Sequence, residues 1–451
     1  MKINLQLDHR TILANKAQPI HFALQIQAEN ISSPRPRPAA FCVVLDTSGS
    51  MNGQPLERAK EATCLALRNL RREDQFALVL FSTSAQVAIP LQACPDKQRL
   101  LDLVHKIVTA GSTNLTGGWM LGRDELKKAE PEASRRLLLL SDGLLNVGII
   151  EPAQVRQIVA NGLETDAIRT SSLGFGDNYD EKLLADLASA TNGQFYDADS
   201  PEKLPAIFAQ ELDGLQKLAV QNLRLRIKRL DFCESFEPLS GYPSVDLPDG
   251  RTEFALGDLV SDEERISCFA LEVLPLPCVQ GAPVASLEGE KLLAVEILYD
   301  EIGEAGIASR THEQIVRVQT TQNPKEVKVN ETVVGWMAMQ KAGLTIKRAT
   351  DEMTSGSREK AKSILQEAIR FLSERGSKEK VEQALEMLRQ LQAKLDHGVL
   401  SARDIKEQKA REFYSRRTSS RMPPGANPFA PPPTGTQPPG EPGKPGSGPV
   451  A

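Results

Sequence analysis

Short, continuous apolar runs alternate with segments of helical spacing through the middle of the chain. Phe41–Leu45, Phe76–Phe81 and Leu137–Leu140 are runs of this kind, and they contain no charged side chains. Such runs are typical of strands that are buried on both faces, as in a parallel sheet with helices on either side. The alternation predicts an α/β fold with a doubly wound, mostly parallel sheet over residues 39–218.

One pair of strands must be antiparallel. Only Ser82–Ser84 separates the apolar run Phe76–Phe81 from a second extended run, Ala85–Ile89. A parallel crossover needs about a dozen residues or more, so this pair is predicted to be a hairpin at an edge of the sheet. If the six strands lie in the order 3-2-1-4-5-6, Asp46 and Asp142 flank the point where the order reverses. Ligands of open α/β sheets bind at that point.

Beyond residue 218 the period changes to strict alternation, which begins with Leu223–Lys228. Alternation indicates half-buried strands, and we predict a small antiparallel β-sandwich over residues 219–325 that also takes in strands from residues 1–38. The basic side chains Arg224, Arg226 and Lys228 are either a patch for an acidic partner or a solvated sheet face, and we favour the solvated face.

The last part of the chain is predicted to be helical over residues 326–420. Ala361, Leu365 and Leu372 share one helix face, and Ser401 followed by Asp404 is a candidate helix cap. Residues 421–451 are rich in Pro and Gly, and we expect them to be disordered.

The loop after the first buried strand carries three oxygen groups at alternate positions, Asp46, Ser48 and Ser50. Oxygen groups on one tight turn can converge on a hard cation such as Mg²⁺, and Mn²⁺ accepts the same ligands. The loop has no His or Cys, so zinc and copper are poor candidates. Further oxygen ligands must come from other loops, and Thr113 and Asp142 are available in two of them.

These residues resemble the metal-ion-dependent adhesion site (MIDAS) of von Willebrand factor A (VWA) domains. The side chains that match the pattern, in the family's order, are Asp46, Ser48, Ser50, Thr113 and Asp142. The flanking β segments loosely resemble those around A domains in intracellular bacterial members and in inter-alpha-trypsin-inhibitor-type chains.

The resemblance implies a non-catalytic protein-interaction module. In the family, the two serines and one further residue contact Mg²⁺, and one coordination position faces solvent. An Asp or Glu carboxylate of a partner protein completes the coordination there. The neutral hydroxyl ligands keep the ion electron-poor, which strengthens the bond to that carboxylate.

Three alternatives stay open. Asp46 and the serines alone are also compatible with an ordinary turn followed by a helix cap. The chain could be an adaptor of an AAA+ or kinase–phosphatase module, with the helical C-terminus as a second contact surface. It could also be a Mg²⁺-dependent phosphoester hydrolase, which would need a general base beside the ion. His105 is the only histidine near these loops in the sequence, and it lies on a predicted helix.

Composition narrows the class of protein further. The chain has 451 residues, of which 40 % are hydrophobic, and its net charge of −5 gives no electrostatic case for a nucleic-acid partner. We expect no membrane span and no secretory signal, because there is no long apolar run and no apolar segment near Met1. The six cysteines are scattered, which favours reduced thiols and a cytoplasmic location.

Overall fold

The structure is a computed structural model that describes residues 1–30, 38–130, 133–142, 145–176, 178–198, 200–276, 289–303, 306–375, 378–398 and 400–417. Its strands are β1 (Lys2–Leu7), β2 (Thr11–Leu13), β3 (Gln18–Gln27), β4 (Ala39–Asp46), β5 (Gln75–Phe81), β6 (Ala85–Ala93), β7 (Ser134–Ser141), β8 (Ile168–Phe175), β9 (Phe195–Ala198), β10 (Leu218–Arg229), β11 (Cys233–Pro238), β12 (Ser244–Asp246), β13 (Arg251–Val260), β14 (Glu264–Val273), β15 (Glu290–Gly303) and β16 (Gly306–Thr321). Its α-helices are α1 (Gln54–Asn69), α2 (Lys97–His105), α3 (Leu115–Leu126), α4 (Pro152–Asp166), α5 (Glu181–Ala190), α6 (Leu204–Gln216), α7 (Glu331–Thr354), α8 (Arg358–Ser373), α9 (Glu379–His397) and α10 (Ala402–Arg416).

A six-stranded sheet lies at the centre of the α/β part, in the order β6-β5-β4-β7-β8-β9. All neighbouring pairs are parallel except β5–β6, which is antiparallel and forms the predicted edge hairpin. The predicted α/β fold class is therefore confirmed, and so is the order 3-2-1-4-5-6. The strands that lead to Asp46 and Asp142 are neighbours, so both aspartates lie at the point where the strand order reverses.

Side-chain alternation along β4 explains why helices cover both faces of this sheet. Phe41 and Val43 pack in one core with residues of α1 and α6, among them Phe208. Cys42 and Val44 point to the other face and pack in a core that includes residues of α3, α4 and α5. Every residue of β4 is buried, as expected for a central parallel strand.

The β-sandwich consists of two sheets, in the orders β1-β3-β14-β11 and β12-β13-β10-β15-β16-β2. Strands β1 and β3 come from the N-terminal segment and join the first sheet through the β3–β14 pair. The sandwich is antiparallel except where β2 pairs with β16 in parallel over three residues, Gln319–Thr321. No hairpin turn joins β2 to β16, so nothing in the connection imposes an antiparallel direction.

The basic side chains of β10 are paired across the sheet. Arg226 Nε lies 2.6 Å from Glu253, and its Nη1 lies 3.2 Å from Glu296 on the opposite neighbouring strand. Arg224 is partly exposed and lies 3.9 Å from the same Glu253. Such cross-strand ion pairs are typical of a solvated sheet face. The arginines are therefore not a free cationic patch for an acidic partner.

Helices α7, α8 and α9 share a core of their own, in which the apolar stripe residues Leu365, Leu372 and Leu385 are buried. The candidate cap of the last helix is present: Ser401 and Asp404 form a capping box at the start of α10. Helix α10 packs against α7 and also against α5 and β9 of the central sheet. The domain boundaries given above stay a prediction, and the Pro/Gly-rich segment 421–451 lies outside the described residues.

Candidate metal centre

Asp46 is the last residue of β4, and its carboxylate is buried. Its Oδ1 accepts a hydrogen bond from the backbone N–H of Ser48 (2.8 Å), and its Oδ2 accepts one from Ser141 Oγ (2.7 Å). The first bond closes a turn of the kind that Asp favours directly after a strand. The second bond comes from the neighbouring strand β7, so the carboxylate is fixed from two elements.

Ser48, Ser50 and Asp142 continue the same hydrogen-bonded group. The hydroxyl oxygens of Ser48 and Ser50 lie 3.1 Å apart, and Ser50 Oγ donates to Asp142 Oδ1 at 2.8 Å. A serine hydroxyl that donates its proton to a carboxylate keeps its lone pairs for another partner. The structure therefore brings four of the five predicted site residues into one connected group.

Thr113, the fifth residue, is placed on an adjoining loop through backbone contacts. The N–H of Gly49 donates to the carbonyl of Gly111 (3.1 Å), and the N–H of Ala110 donates to that of Thr47 (2.7 Å). The N–H of Thr113 itself donates to Asn146 Oδ1 at 2.8 Å. The loops that carry Asp46, Thr113 and Asp142 are thus tied to one another.

Gly111 shows why that loop can approach so closely. Its φ is +72°, and a Cβ at this position would lie 2.3 Å from Thr83 Oγ1. Any other residue would have a strained backbone at this positive φ, and its Cβ would collide with Thr83. Only glycine avoids both the strain and the collision.

The two carboxylates carry negative charge with no basic group to balance it. Burial raises the pKa of Asp46, and burial together with the nearby Asp46 raises the pKa of Asp142 to about 6. Within the described part of the chain, neither carboxylate has a Lys, Arg or His partner. Two unbalanced carboxylates beside the hydroxyls of Ser48 and Ser50 are a donor set that fits a hard divalent cation.

The donor set is unusual in one respect. Within the described residues, no group of three or more His, Cys, Asp or Glu side chains is arranged to hold a metal ion, and this site contains only two carboxylates. The hydroxyls of Ser48, Ser50 and Thr113 would have to supply the remaining protein ligands. Such a set suits Mg²⁺, which commonly keeps several waters beside one or two carboxylates.

Two supporting residues were missed by sequence reasoning. Ser141 donates to Asp46, and Asn146 holds the backbone of Thr113. Ser141 stands at the end of an apolar run, where a polar residue next to an aspartate is a weak signal. Asn146 lies in a loop, and nothing in its sequence context separates it from other loop asparagines.

Exposed apolar side chains lie on the loops that adjoin this site and on helix α3, which follows the Thr113 loop. Val108 stands two residues before Ala110, and Ile150 is 53 % exposed on the segment after Asn146. The carbonyl of Ile149, also exposed, accepts from Thr116 Oγ1 at 2.7 Å, and Met120 follows Thr116 by one helical turn. We call Val108, Met120, Ile149 and Ile150 the apolar rim.

His105 contacts a different part of the molecule. It is the last residue of α2, and its Nε2 lies 3.8 Å from Cys64 Sγ on helix α1. That contact gives it no role as a base beside Asp46.

Comparison with known proteins identifies the α/β part. Residues 42–210 match the family model of the von Willebrand factor type A domain. This part of the chain is therefore a VWA domain.

Similar proteins cover either the whole chain or this domain. An uncharacterized protein of Synechocystis sp. is 24 % identical over 359 residues, which are 77 % of this chain and 81 % of that protein. Inter-alpha-trypsin inhibitor heavy chain H1 of Bos taurus is 32 % identical over 185 residues, which are 38 % of this chain and only 20 % of the heavy chain.

Two solved structures share the fold over nearly all of the chain. A von Willebrand factor type A protein from Catenulispora acidiphila has a TM-score of 0.68 at 18 % identity, covering 93 % of this chain and 97 % of its own. The ArnB paralog VWA2 from Sulfolobus acidocaldarius has a TM-score of 0.56 at 15 % identity, covering 92 % and 98 %. The VWA domain and the regions around it thus recur together. In the described residues, no helix has the length and apolar character needed to cross a membrane.

Proposed function

We propose that this protein is a non-catalytic interaction module that binds a partner's Asp or Glu carboxylate through Mg²⁺, or Mn²⁺, at a complete MIDAS. The ion would be held by the five residues Asp46, Ser48, Ser50, Thr113 and Asp142. The observation that carries the proposal is the pair of buried carboxylates, joined through Ser50, that no basic side chain of the described residues balances. A bound cation supplies the missing positive charge and an electrophilic position for an external carboxylate.

Asp46 and Ser50 would have different roles in holding the ion. Asp46 is held rigidly by Ser141 and by the backbone of Ser48, so it can orient a ligand or a bridging water without moving. Ser50 is exposed and donates to Asp142, so its oxygen lone pairs remain available at the surface. Because the hydroxyl ligands that contact the ion are neutral, the ion stays electron-poor, and an external carboxylate binds it well.

The apolar rim adds a preference for the surroundings of that carboxylate. Ile150 and Val108 are exposed next to the loops of the site. Burying such side chains stabilises a complex by about 25 cal/mol per Å² of apolar surface removed from water. The partner segment that fits best therefore carries its Asp or Glu beside bulky apolar residues.

We also infer a cytoplasmic protein of the intracellular bacterial type. The support is the state of the cysteines: those in the described residues are free and buried. Reduced thiols without disulfides are the usual state in the cytoplasm.

The proposal is tested by a pull-down from native lysate with wild type in Mg²⁺, wild type in EDTA, and Asp46→Ala in Mg²⁺. We expect a protein that is retained only in the first of these. Asp102→Ala is the matched control, because Asp102 is an exposed aspartate of the same domain that accepts a hydrogen bond from Gln98 on its own helix. Equal retention in all samples would overturn the proposal and would assign the contacts to other surfaces.

A further inference from the structure

A second surface lies on the β-sandwich, away from the VWA domain. A groove of about 720 Å³ runs between the edge of β1 in one sheet and β16 in the other. Its walls include Leu5 of β1, Ile315 and Arg317 of β16, and the segment that leads into α7. The groove is thus bordered by the outer strands of both sheets of the sandwich.

The strand edges along this groove are open. β16 pairs with β15 on one side along residues 306–318, whereas β2 covers its other side only at Gln319–Thr321. β1 pairs with β3 alone and ends its sheet. Among the described residues, the outer edge of β16 therefore presents unpaired backbone groups along most of its length, and such an edge is a template for another strand.

The chain itself shows that this edge accepts a strand. β2 adds to it in parallel, with Thr11 opposite Gln319 and Leu13 opposite Thr321. Its addition involves no hairpin and is short, because the chain then turns towards β3 in the other sheet. An extended segment from outside would continue the same pairing along Gly306–Val318 and would fill the groove.

The side chains of the groove define the chemistry of that segment. Arg10 and Lys328 are exposed and have no carboxylate partner in the described part of the chain, whereas Arg317 donates a hydrogen bond to the carbonyl of Gly289. The one acidic lining residue, Glu326, accepts hydrogen bonds from Thr321 Oγ1 and from Asn323 within its own turn. Ile315 and Val329 are exposed at 37 % and 48 % and supply apolar surface.

We propose that this groove binds an extended segment of another protein in which acidic and apolar residues alternate, added as a strand to the outer edge of β16. Main-chain hydrogen bonds provide the affinity in this mode of recognition, and side-chain pockets provide the selectivity. The cations Arg10 and Lys328 select acidic side chains, and Ile315 and Val329 accept the apolar ones. The site contains no part of the MIDAS, so binding does not require a divalent cation.

The test uses a fluorescein-labelled peptide of alternating Glu and Val, with the matching Lys and Val peptide as the comparison. Fluorescence anisotropy is measured on the full chain in EDTA. We expect saturable binding of the acidic peptide and at least about 10-fold weaker binding of the basic one, because like charges placed together are strongly unfavourable. Failure of the acidic peptide to bind, or equal binding of both peptides, would overturn the proposal.

A charge-reversed variant tests whether the peptide binds in the groove. Arg10→Glu combined with Lys328→Glu should weaken the acidic peptide at least about 10-fold. Lys16→Glu combined with Lys325→Glu is the matched control: both lysines are exposed, they lie close to the first pair in sequence, and neither lines the groove. We expect that control to bind as wild type does, and equal weakening of both variants would overturn the proposal.

Hydrogen exchange distinguishes strand addition from loose electrostatic attachment. Saturating acidic peptide should slow amide exchange within residues 306–318 and leave the helices unchanged, because only the open strand edge gains hydrogen-bond partners. Binding without protection of β16 would overturn the proposal. So would a concentration-dependent dimer of the free protein that protects the same amides, because a second copy would then occupy the edge.

Discussion

Buried carboxylates at two places on the VWA sheet are neutralised in different ways. Asp197 at the β9 edge accepts two hydrogen bonds from Arg403 of α10, at 3.0 and 2.5 Å, and one from the hydroxyl of Tyr179. Asp46 and Asp142 receive hydrogen bonds only from hydroxyl and backbone groups, and no cation of the described residues faces them.

The contrast separates a permanent interface from a site that requires an external ion. Helix α10 also brings Lys406, whose Nζ lies 2.7 Å from Glu181, and Tyr414, which donates to the carbonyl of Phe195. At that edge, Asp197 and Glu181 are thus each balanced by a cation of α10. The metal loops hold two carboxylates in a buried position without a cation. This arrangement is unfavourable until a cation binds and balances their charge.

Asp197→Ala should produce the largest loss of stability. It would leave Arg403 and the buried hydroxyl of Tyr179 without their acceptor, and removing one member of a buried pair costs about 3 kcal/mol. The measurement is the free energy of unfolding in urea, alongside the Mg²⁺ affinity, which should not change.

Asp186→Ala is the matched control for this variant. Asp186 pairs with Lys182 on the exposed face of α5, and such surface pairs contribute little to stability. If Asp197→Ala and Asp186→Ala destabilise the protein equally, α10 does not hold the β9 edge as the geometry implies.

Saturating Mg²⁺ should raise the stability of the protein by about 2.7 kcal/mol when its concentration is 100 times the dissociation constant. The effect should be full at about pH 7.5 and largely lost at about pH 5, because protonation of Asp142, whose pKa is raised to about 6, competes with the metal. Thermal unfolding at both pH values, with Mg²⁺ and with EDTA, measures this stabilisation by Mg²⁺.

The sign of the pH dependence without metal is opposite to that of an ordinary ion-paired carboxylate. Because folding raises the pKa of Asp142 above its usual 3.8, the folded state binds more protons between about pH 4 and pH 6, and stability in EDTA falls as the pH rises through that range. Asp142→Asn should reduce this fall, leaving the part that comes from Asp46, and should remove the effect of Mg²⁺. A wild-type protein that shows neither effect would mean that the two carboxylates do not hold a cation.

The central sheet could be predicted from the sequence because the information is local. Apolar runs such as Phe76–Phe81 are complete in themselves, and the short link after Phe81 forces the antiparallel edge pair. Boundaries were less accurate: β6 continues past Pro90 to Ala93, since an edge strand tolerates a residue that lacks an N–H. The short strands β2, β11 and β12 were not predicted.

The contacts of α10 could not be predicted, because they join residues about 200 positions apart. Arg403 and Lys406 look like ordinary surface residues of a polar helix until Asp197 and Glu181 are placed beside them. The same holds for Ser141, since its role depends on the alignment of β7 with β4. Motif residues on loops were accessible to sequence reasoning, and the groups that support them through space were not.

Ser141→Ala should weaken Mg²⁺ binding by about 10-fold, which is the usual scale for a residue that orients a metal ligand. Its hydroxyl holds one oxygen of Asp46, and without it the carboxylate gains rotational freedom. Ser134→Ala, on the same strand, is the matched control, because the buried Ser134 hydroxyl has no hydrogen-bond partner within the described residues. Calorimetric titration of Mg²⁺ measures both variants, and equal affinities would show that Ser141 does not position Asp46.

Ser401→Ala should have the smallest effect, a loss of about 1 kcal/mol, because it removes the capping box at the start of α10. The loss should increase hydrogen exchange in α10 and at the β9 edge and leave the Mg²⁺ affinity unchanged. Ser357→Ala is the matched control, since Ser357 precedes α8 but its side chain makes no cap hydrogen bond. If Ser401→Ala instead changed the Mg²⁺ affinity, Asp197 at the β9 edge would be coupled through the sheet to Asp46 and Asp142. The contact between α10 and the β9 edge would then be part of the mechanism of the metal site.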